Sequence, residues 1–168
     1  MPKDSVYIDS CTWIAQYKPT EKLTDEQRAG LQSLYEKVDK GQVLVVGSTL
    51  IYVEALTVTT PVIKAAFDGK KGLLVAADEG IGIRARALQQ ACYDKTGRLL
   101  SNYDAVHLAT ASAMRCQRFI TLDKVVKEKQ LAPLKHKAVI EPILGLRIID
   151  PSELDEQQRF NFPADGQG

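Results

Sequence analysis

The chain is poor in the residues that staple or coat small proteins. Only three of its 168 residues are cysteine, Cys11, Cys92 and Cys116. They are odd in number, widely spaced and without a C-x-x-C pair, which excludes a disulfide framework and a zinc ribbon on spacing alone. Reduced thiols in a cytoplasmic protein are the expectation. Net charge is +1, so bulk charge does not indicate a strongly basic nucleic-acid coat. No apolar run approaches the roughly 20 residues of a membrane span. The first ten residues carry Asp4 and Asp9 and are expected not to form a signal peptide. There is no internal repeat, no low-complexity tract and no G-x-x-x-x-G-K phosphate loop.

What remains is ordinary globular material, 45% hydrophobic and 26% charged. At this length one domain buries roughly 70% of the unfolded chain's surface, so its core needs no staples. Short apolar runs alternate with amphipathic stretches. Residues 6–9 read as a first strand. Leu31, Leu34, Tyr35 and Val38 form a helical stripe, opened by a Thr24/Gln27 capping box and closed by Gly41. Residues 43–46 read as a strand buried on both faces, and Ser48 as the N-cap of a helix running to about residue 58. Residues 73–76, 118–122 and 146–149 supply further strands. Asp78 caps a helix carrying Ile83, Ala87, Leu88 and Ala91, and residues 105–116 form another helix. The expected fold is α/β: a three-layer αβα sandwich around a mostly parallel, about five-stranded sheet. Residues 132–145, with Pro133 and Pro142, read as a loop or small excursion. Residues 152–168 read as a polar tail, a short helix followed by disorder.

In an open parallel sheet, ligands bind outside the carboxyl ends of the strands. Asp9 ends the first strand, in V-Y-I-D-S, and Asp123 follows the fourth, in F-I-T-L-D. Asp104 opens the helix of D-A-V-H-L-A-T-A. Glu54 lies on the apolar stripe of Leu50, Ile51 and Val58, where a charge must reach a polar rim or suffer desolvation. Each acid has a plainer explanation. Asp104 alone is a first-turn acid, Asp123 alone a helix cap, and Asp9 alone a turn residue. Four such accidents at one sheet edge are harder to accept together. Carboxylate oxygens are hard ligands suited to Mg²⁺ or Mn²⁺. A bound ion relieves their mutual repulsion, orients a phosphodiester and activates a water. With no histidine or cysteine expected in the cluster, zinc is disfavoured.

The segments V-Y-I-D-S, S-T-L-I-Y-V-E-A-L, S-N-Y-D-A-V-H-L-A-T-A and F-I-T-L-D-K, in that order, resemble the PIN-domain family, and most of all its VapC-type toxin ribonucleases. The likeness runs over residues 6–151. D-A-x-x-L-A-T-A followed by T-x-D is its most specific part. It implies a PIN-like nuclease domain over residues 1–151, followed by the tail. It further implies Mg²⁺ or Mn²⁺ and endonucleolytic cleavage of RNA. Asp9 and Asp104 would be central metal ligands, Glu54 a ligand or water-orienting group, and Asp123 the fourth acid. Thr121 would support the site, with Ser48 a weaker match. A cognate antitoxin and a homodimer are implied partners, and no membrane is. The insertion at 132–145 and the tail make the chain longer than the leanest toxins, which touches the toxin role more than the nuclease role.

His107, one turn after Asp104, could touch substrate or a metal-bound water, but reads rather as a surface histidine near Thr110 and Ser112, since a metal that activates the water leaves no need for imidazole chemistry. Cys11 is no phosphatase nucleophile, because Tyr17 and Lys18 stand where an arginine would be needed. Arg115, Arg118 and Lys124 belong to a basic run over 115–137 that could cradle an RNA backbone or be a solvated face. Trp13 and Tyr17 read as core. Asp9-Ser10-Cys11 lacks the second acid of a haloacid-dehalogenase site. Gly47-Ser48-Thr49 lacks the phosphorylatable acid of a receiver domain. The competing functional class is a fold of this kind that binds RNA or protein without catalysis.

Overall fold

Hydrophobic runs too short to be helices set the sheet, and each return crossing carries a helix. The computed structural model describes residues 4–17, 23–55, 60–67, 71–125 and 127–156. In chain order these form β1 (Asp4–Ile8), α1 (Ser10–Tyr17), α2 (Asp25–Asp39), β2 (Val43–Ser48), α3 (Ile51–Glu54) and α4 (Thr60–Phe67). There follow β3 (Gly72–Val75), α5 (Glu79–Thr96), β4 (Leu99–Leu100), α6 (Asn102–Ala113) and β5 (Arg118–Ile120). The chain continues through β6 (Gln130–Leu131), α7 (Lys137–Leu144), β7 (Arg147–Ile149) and α8 (Glu153–Glu156).

Five strands lie in the order β3-β2-β1-β5-β7, all parallel, with Tyr7 of β1 beside Val46 on one side and Phe119 on the other. Side chains alternate across the sheet. Val6 and Ile8 pack with Trp13, Leu31, Leu34, Ile63 and Leu154 on the face of α1, α2, α4 and α8. Tyr7 and Phe119 pack with Leu88, Leu108 and Ile140 on the face of α5, α6 and α7. This is the expected αβα sandwich.

Local signals behave as their chemistry requires. The Thr24 hydroxyl accepts from Gln27 N at 3.2 Å, and the Gln27 amide oxygen accepts from Thr24 N at 3.0 Å, completing the capping box of α2. Gly41, just past that helix, has φ +69°, in the left-handed region where glycine meets no Cβ penalty. Asp78 caps α5, accepting from Ile81 N at 2.9 Å.

Several expectations need correction. Residues 132–145 are not simply loop, because α7 occupies 137–144 with Pro142 inside it. One proline removes one helix hydrogen bond, and burial of Ile140 with Ile143 and Leu144 against the core outweighs that loss. Ser48 does not cap a helix. It ends β2, and its hydroxyl accepts from Leu50 N at 3.3 Å. The helix expected to reach residue 58 ends at Glu54, with Ala55 extended at φ −72°, ψ 140°; residues 56–59 lie outside the described residues. β4 and β6 pair as a small parallel ladder that the sequence did not announce. Trp13 is core, whereas Tyr17 is 38% exposed. In the tail, Leu154 is buried, so packing continues past residue 151; residues 157–168 lie outside the described residues.

Candidate active site

Parallel strands end at one edge, and that edge collects the acids. Asp9 directly follows β1, Thr121 and Asp123 follow β5, Asp104 stands in the first turn of α6, and Glu54 is the last residue of α3. All four carboxylates line one cleft of about 670 Å³, together with Ser10, Cys11, Ser101, Tyr103 and Lys127.

Asp9 is 3% exposed and held from several sides. Its Oδ1 accepts from Ser10 N at 2.8 Å, and its Oδ2 accepts from the Thr121 hydroxyl at 2.8 Å and lies 3.2 Å from Cys11 Sγ. Thr121 also accepts from Asp123 N at 3.1 Å. One hydroxyl thus ties the acid after β1 to the loop bearing the acid after β5.

Glu54 contacts a residue that the sequence assigned to the surface. His107 is 1% exposed. Its Nε2 lies 2.5 Å from Glu54 Oε2 and 3.9 Å from Asp9 Oδ1, and its Nδ1 lies 2.6 Å from the Tyr7 hydroxyl. α6 packs against α5, α7, β2 and β5, and its face bearing Thr110 and His107 is buried, not solvated. Burial opposes charge on the imidazole, yet the hydrogen bond to Glu54 and the charges of Asp9, Glu54 and Asp104 prevail and raise its pKa. The missed signal is that Thr110 and Ala111, three and four residues on and so on the face of His107, are small and uncharged.

Asp104 is pushed up to about 6, by burial first and then by the charges of Asp9 and Asp123, against the hydrogen bond from Ser101. The Ser101 hydroxyl donates to its Oδ2 at 2.6 Å. Asp123 is also raised, by burial and the Asp9 charge, against the Val125 N–H and Lys127. The cleft is therefore a place where carboxylates crowd.

Cys11 and His107 overturn the premise that no cysteine or histidine stands in the cluster. Burial and the Asp9 charge raise the Cys11 pKa well above a free thiol. It stays protonated and is a poor soft ligand or nucleophile.

The basic residues divide by strand direction. Arg118 opens β5 at the opposite edge, 3.5 Å from Asp4. Arg115 also lies at that edge, its carbonyl accepting from the Ser5 hydroxyl. Neither stands beside the cleft, so the expected cradle of Arg115, Arg118 and Lys124 does not form there. Lys124 pairs with Asp150 at 2.8 Å. Lys127 is the cation on the cleft wall.

Among the described residues, no group of three or more His, Cys, Asp or Glu side chains is placed to hold a metal ion. Magnesium does not require one, since it keeps several waters and binds through one or two carboxylates. The oxygen-rich lining of the cleft is a donor set of that open, hydrated kind.

Solved structures with a similar fold are known. The crystal structure of FitAcB from Neisseria gonorrhoeae matches with a TM-score of 0.56 at 13% identity, over 87% of this chain and 97% of that one. This chain has a PIN-like α/β fold. VapBC2 from Rickettsia felis, bound to a DNA fragment from its promoter, gives 0.56 at 10% identity over 87% and 98% of the two chains. DNA-bound VapBC from Salmonella typhimurium gives 0.54 at 14% identity over 88% and 98%. At such identities the likeness establishes the fold alone. No family model matches the sequence, and no curated protein matches it. Among the described residues no helix is long and apolar enough to cross a membrane.

Proposed function

We propose that this chain is a Mg²⁺- or Mn²⁺-dependent endoribonuclease that hydrolyses RNA phosphodiester bonds, and that it is the toxin of a toxin–antitoxin pair. The observation carrying the nuclease reading is that four carboxylates from four separated stretches line one cleft at the carboxyl edge of a parallel sheet. The toxin reading is supported by the shared fold with chains of FitAB and VapBC complexes. A cognate antitoxin and a second copy of the chain are the partners that this reading implies.

Asp9 and Asp104 would hold the divalent ion, with Asp123 acting directly or through water. When bound, that ion supplies charge neutralisation for the phosphodiester and activation of a water. The chain's own residues do the rest. The Ser10 N–H and Thr121 hydroxyl fix the Asp9 carboxylate before substrate arrives, so little reorganisation is left for the reaction. Glu54 engages His107 through Oε2, and its other oxygen, Oε1, would bind the ion or orient the attacking water. Lys127 offers a positive partner to an RNA phosphate on a wall otherwise hostile to anions.

The test is cleavage of a fluorescent structured RNA by purified protein in Mg²⁺ or Mn²⁺, with an EDTA control. Metal-dependent cleavage that is lost in Asp9→Asn and Asp104→Asn, both still folded, supports the proposal. Absence of cleavage across several RNAs turns the reading to an RNA- or protein-binding module.

A further inference from the structure

His107 is the part of the cleft wall that the acidic pattern does not explain. Both of its ring nitrogens have partners, Tyr7 at 2.6 Å and Glu54 at 2.5 Å. Tyr7 is fully buried in the central strand and stacks on Phe119, with ring centroids 5.2 Å apart and planes 9° from parallel. The imidazole is thus braced by α6 through its own backbone and by β1 through the phenol.

Among the described residues, Glu54 has no comparable support of its own. It ends α3, a single turn of four residues whose N-cap makes no side-chain hydrogen bond and whose C-cap is extended. A one-turn helix is marginal by itself. Among the described residues, the Glu54 carboxylate has one side-chain hydrogen bond, and it goes to His107.

We propose that Tyr7 and His107 form a buried positioning relay that carries the rigidity of the central strand to Glu54 and sets where its carboxylate sits in the cleft. The Tyr7 hydroxyl stands 2.6 Å from Nδ1, within hydrogen-bond distance. With a neutral ring, the phenol donates to Nδ1 and the ring proton stands on Nε2, facing Glu54. With a charged ring, both nitrogens carry protons. Nε2 donates to the carboxylate in either state, so the relay does not depend on titration. His107 and Tyr7 are positioning residues, acting on substrate only through Glu54.

The effect on turnover rests on the nuclease reading, whereas the relay itself has a readout that does not. In wild type, the imidazole Nε2–H gives a proton NMR resonance downfield of the amides, and it disappears in Glu54→Ala. In single-turnover RNA cleavage, His107→Leu lowers the rate on the order of 10–100-fold, the usual effect of removing a supporting partner, with substrate affinity little changed. His107→Gln, whose side-chain N–H reaches the Nε2 position, recovers most of that rate. Tyr7→Phe keeps the ring and its packing, loosens the anchor and gives a smaller loss. It serves as the second variant should His107→Leu fail to fold. Wild-type rates in folded Tyr7→Phe and His107→Leu overturn the proposal, as does a downfield resonance that survives Glu54→Ala. A wild-type protein that cleaves no RNA sinks the nuclease reading, and the resonance still decides the relay.

Discussion

Replacing Asp104 by asparagine should stabilise the metal-free protein at neutral pH, although it should destroy activity. A buried acid that titrates at about 6 instead of its usual 3.8 is ionised at pH 7.5 at a cost of roughly 3 kcal/mol, at 1.36 kcal/mol per pKa unit. Asparagine keeps the shape, and its amide oxygen still accepts from the Ser101 hydroxyl. It gives up a charge that interacts favourably with the N-terminal end of α6, worth about 0.5 kcal/mol. Partial solvent access trims the gain further, leaving a net stabilisation of about 1–2 kcal/mol. For a domain of this size that is a rise in Tm of roughly 2–8 °C, measured by calorimetry in EDTA at pH 7.5. The gain should shrink as pH falls below about 6 and approach zero once pH drops below 3.8, where the wild-type acid is protonated in both folded and unfolded chains. Millimolar Mg²⁺ should raise the Tm of wild type and leave that of Asp104→Asn nearly unmoved. A variant less stable than wild type at pH 7.5 in EDTA, or a difference independent of pH, refutes the claim that crowded carboxylates strain this cleft.

The same linkage sets the pH profile of the metal-free wild type. Asp104 binds its proton more tightly folded than unfolded, so stability falls as pH rises from about 4 through about 6. His107 is raised above 6.5, so the stability it contributes is fully present below 6.5 and is lost as pH rises through its folded value. Tm in EDTA should therefore be higher at pH 5.5 than at pH 8. Thr121→Val is nearly isosteric yet removes the donor to Asp9 and the acceptor for Asp123 N. It should cost about 1–3 kcal/mol in denaturant unfolding and slow cleavage by about 10–100-fold. Lys127→Ala should weaken RNA binding and flatten its salt dependence, while Arg118→Ala, at the far edge of the sheet, should leave both unchanged in a filter-binding titration.

The parts legible in the sequence are those where local chemistry and tertiary packing agree. The Thr24/Gln27 box, Asp78 and the β-branched runs each specify an element without reference to the rest of the chain. The carboxyl-edge rule then brings Asp9 and Asp123 to one place. What stayed hidden depends on packing between distant segments. His107 looks polar in sequence, but the depth at which α6 lies on the sheet, and the phenol reaching it from β1, make it a buried partner. Cys11 joins the site because Thr121 arrives beside it from 110 residues away. Arg115 and Arg118 adjoin Asp123 in sequence, but a strand only three residues long carries them to the opposite edge. α7 was obscured by Pro142, whose local penalty is outweighed by core contacts that a one-dimensional pattern does not show.

The central claim is that the acids of this cleft share a divalent ion, and Mn²⁺-soaked crystals test it most directly. The account predicts an anomalous difference peak at the cleft, at roughly 2.0–2.3 Å from carboxylate oxygens of Asp9 and Asp104, and its loss in Asp9→Asn. Crystals saturated with Mn²⁺ that show no peak there, or a peak unchanged by Asp9→Asn, contradict it.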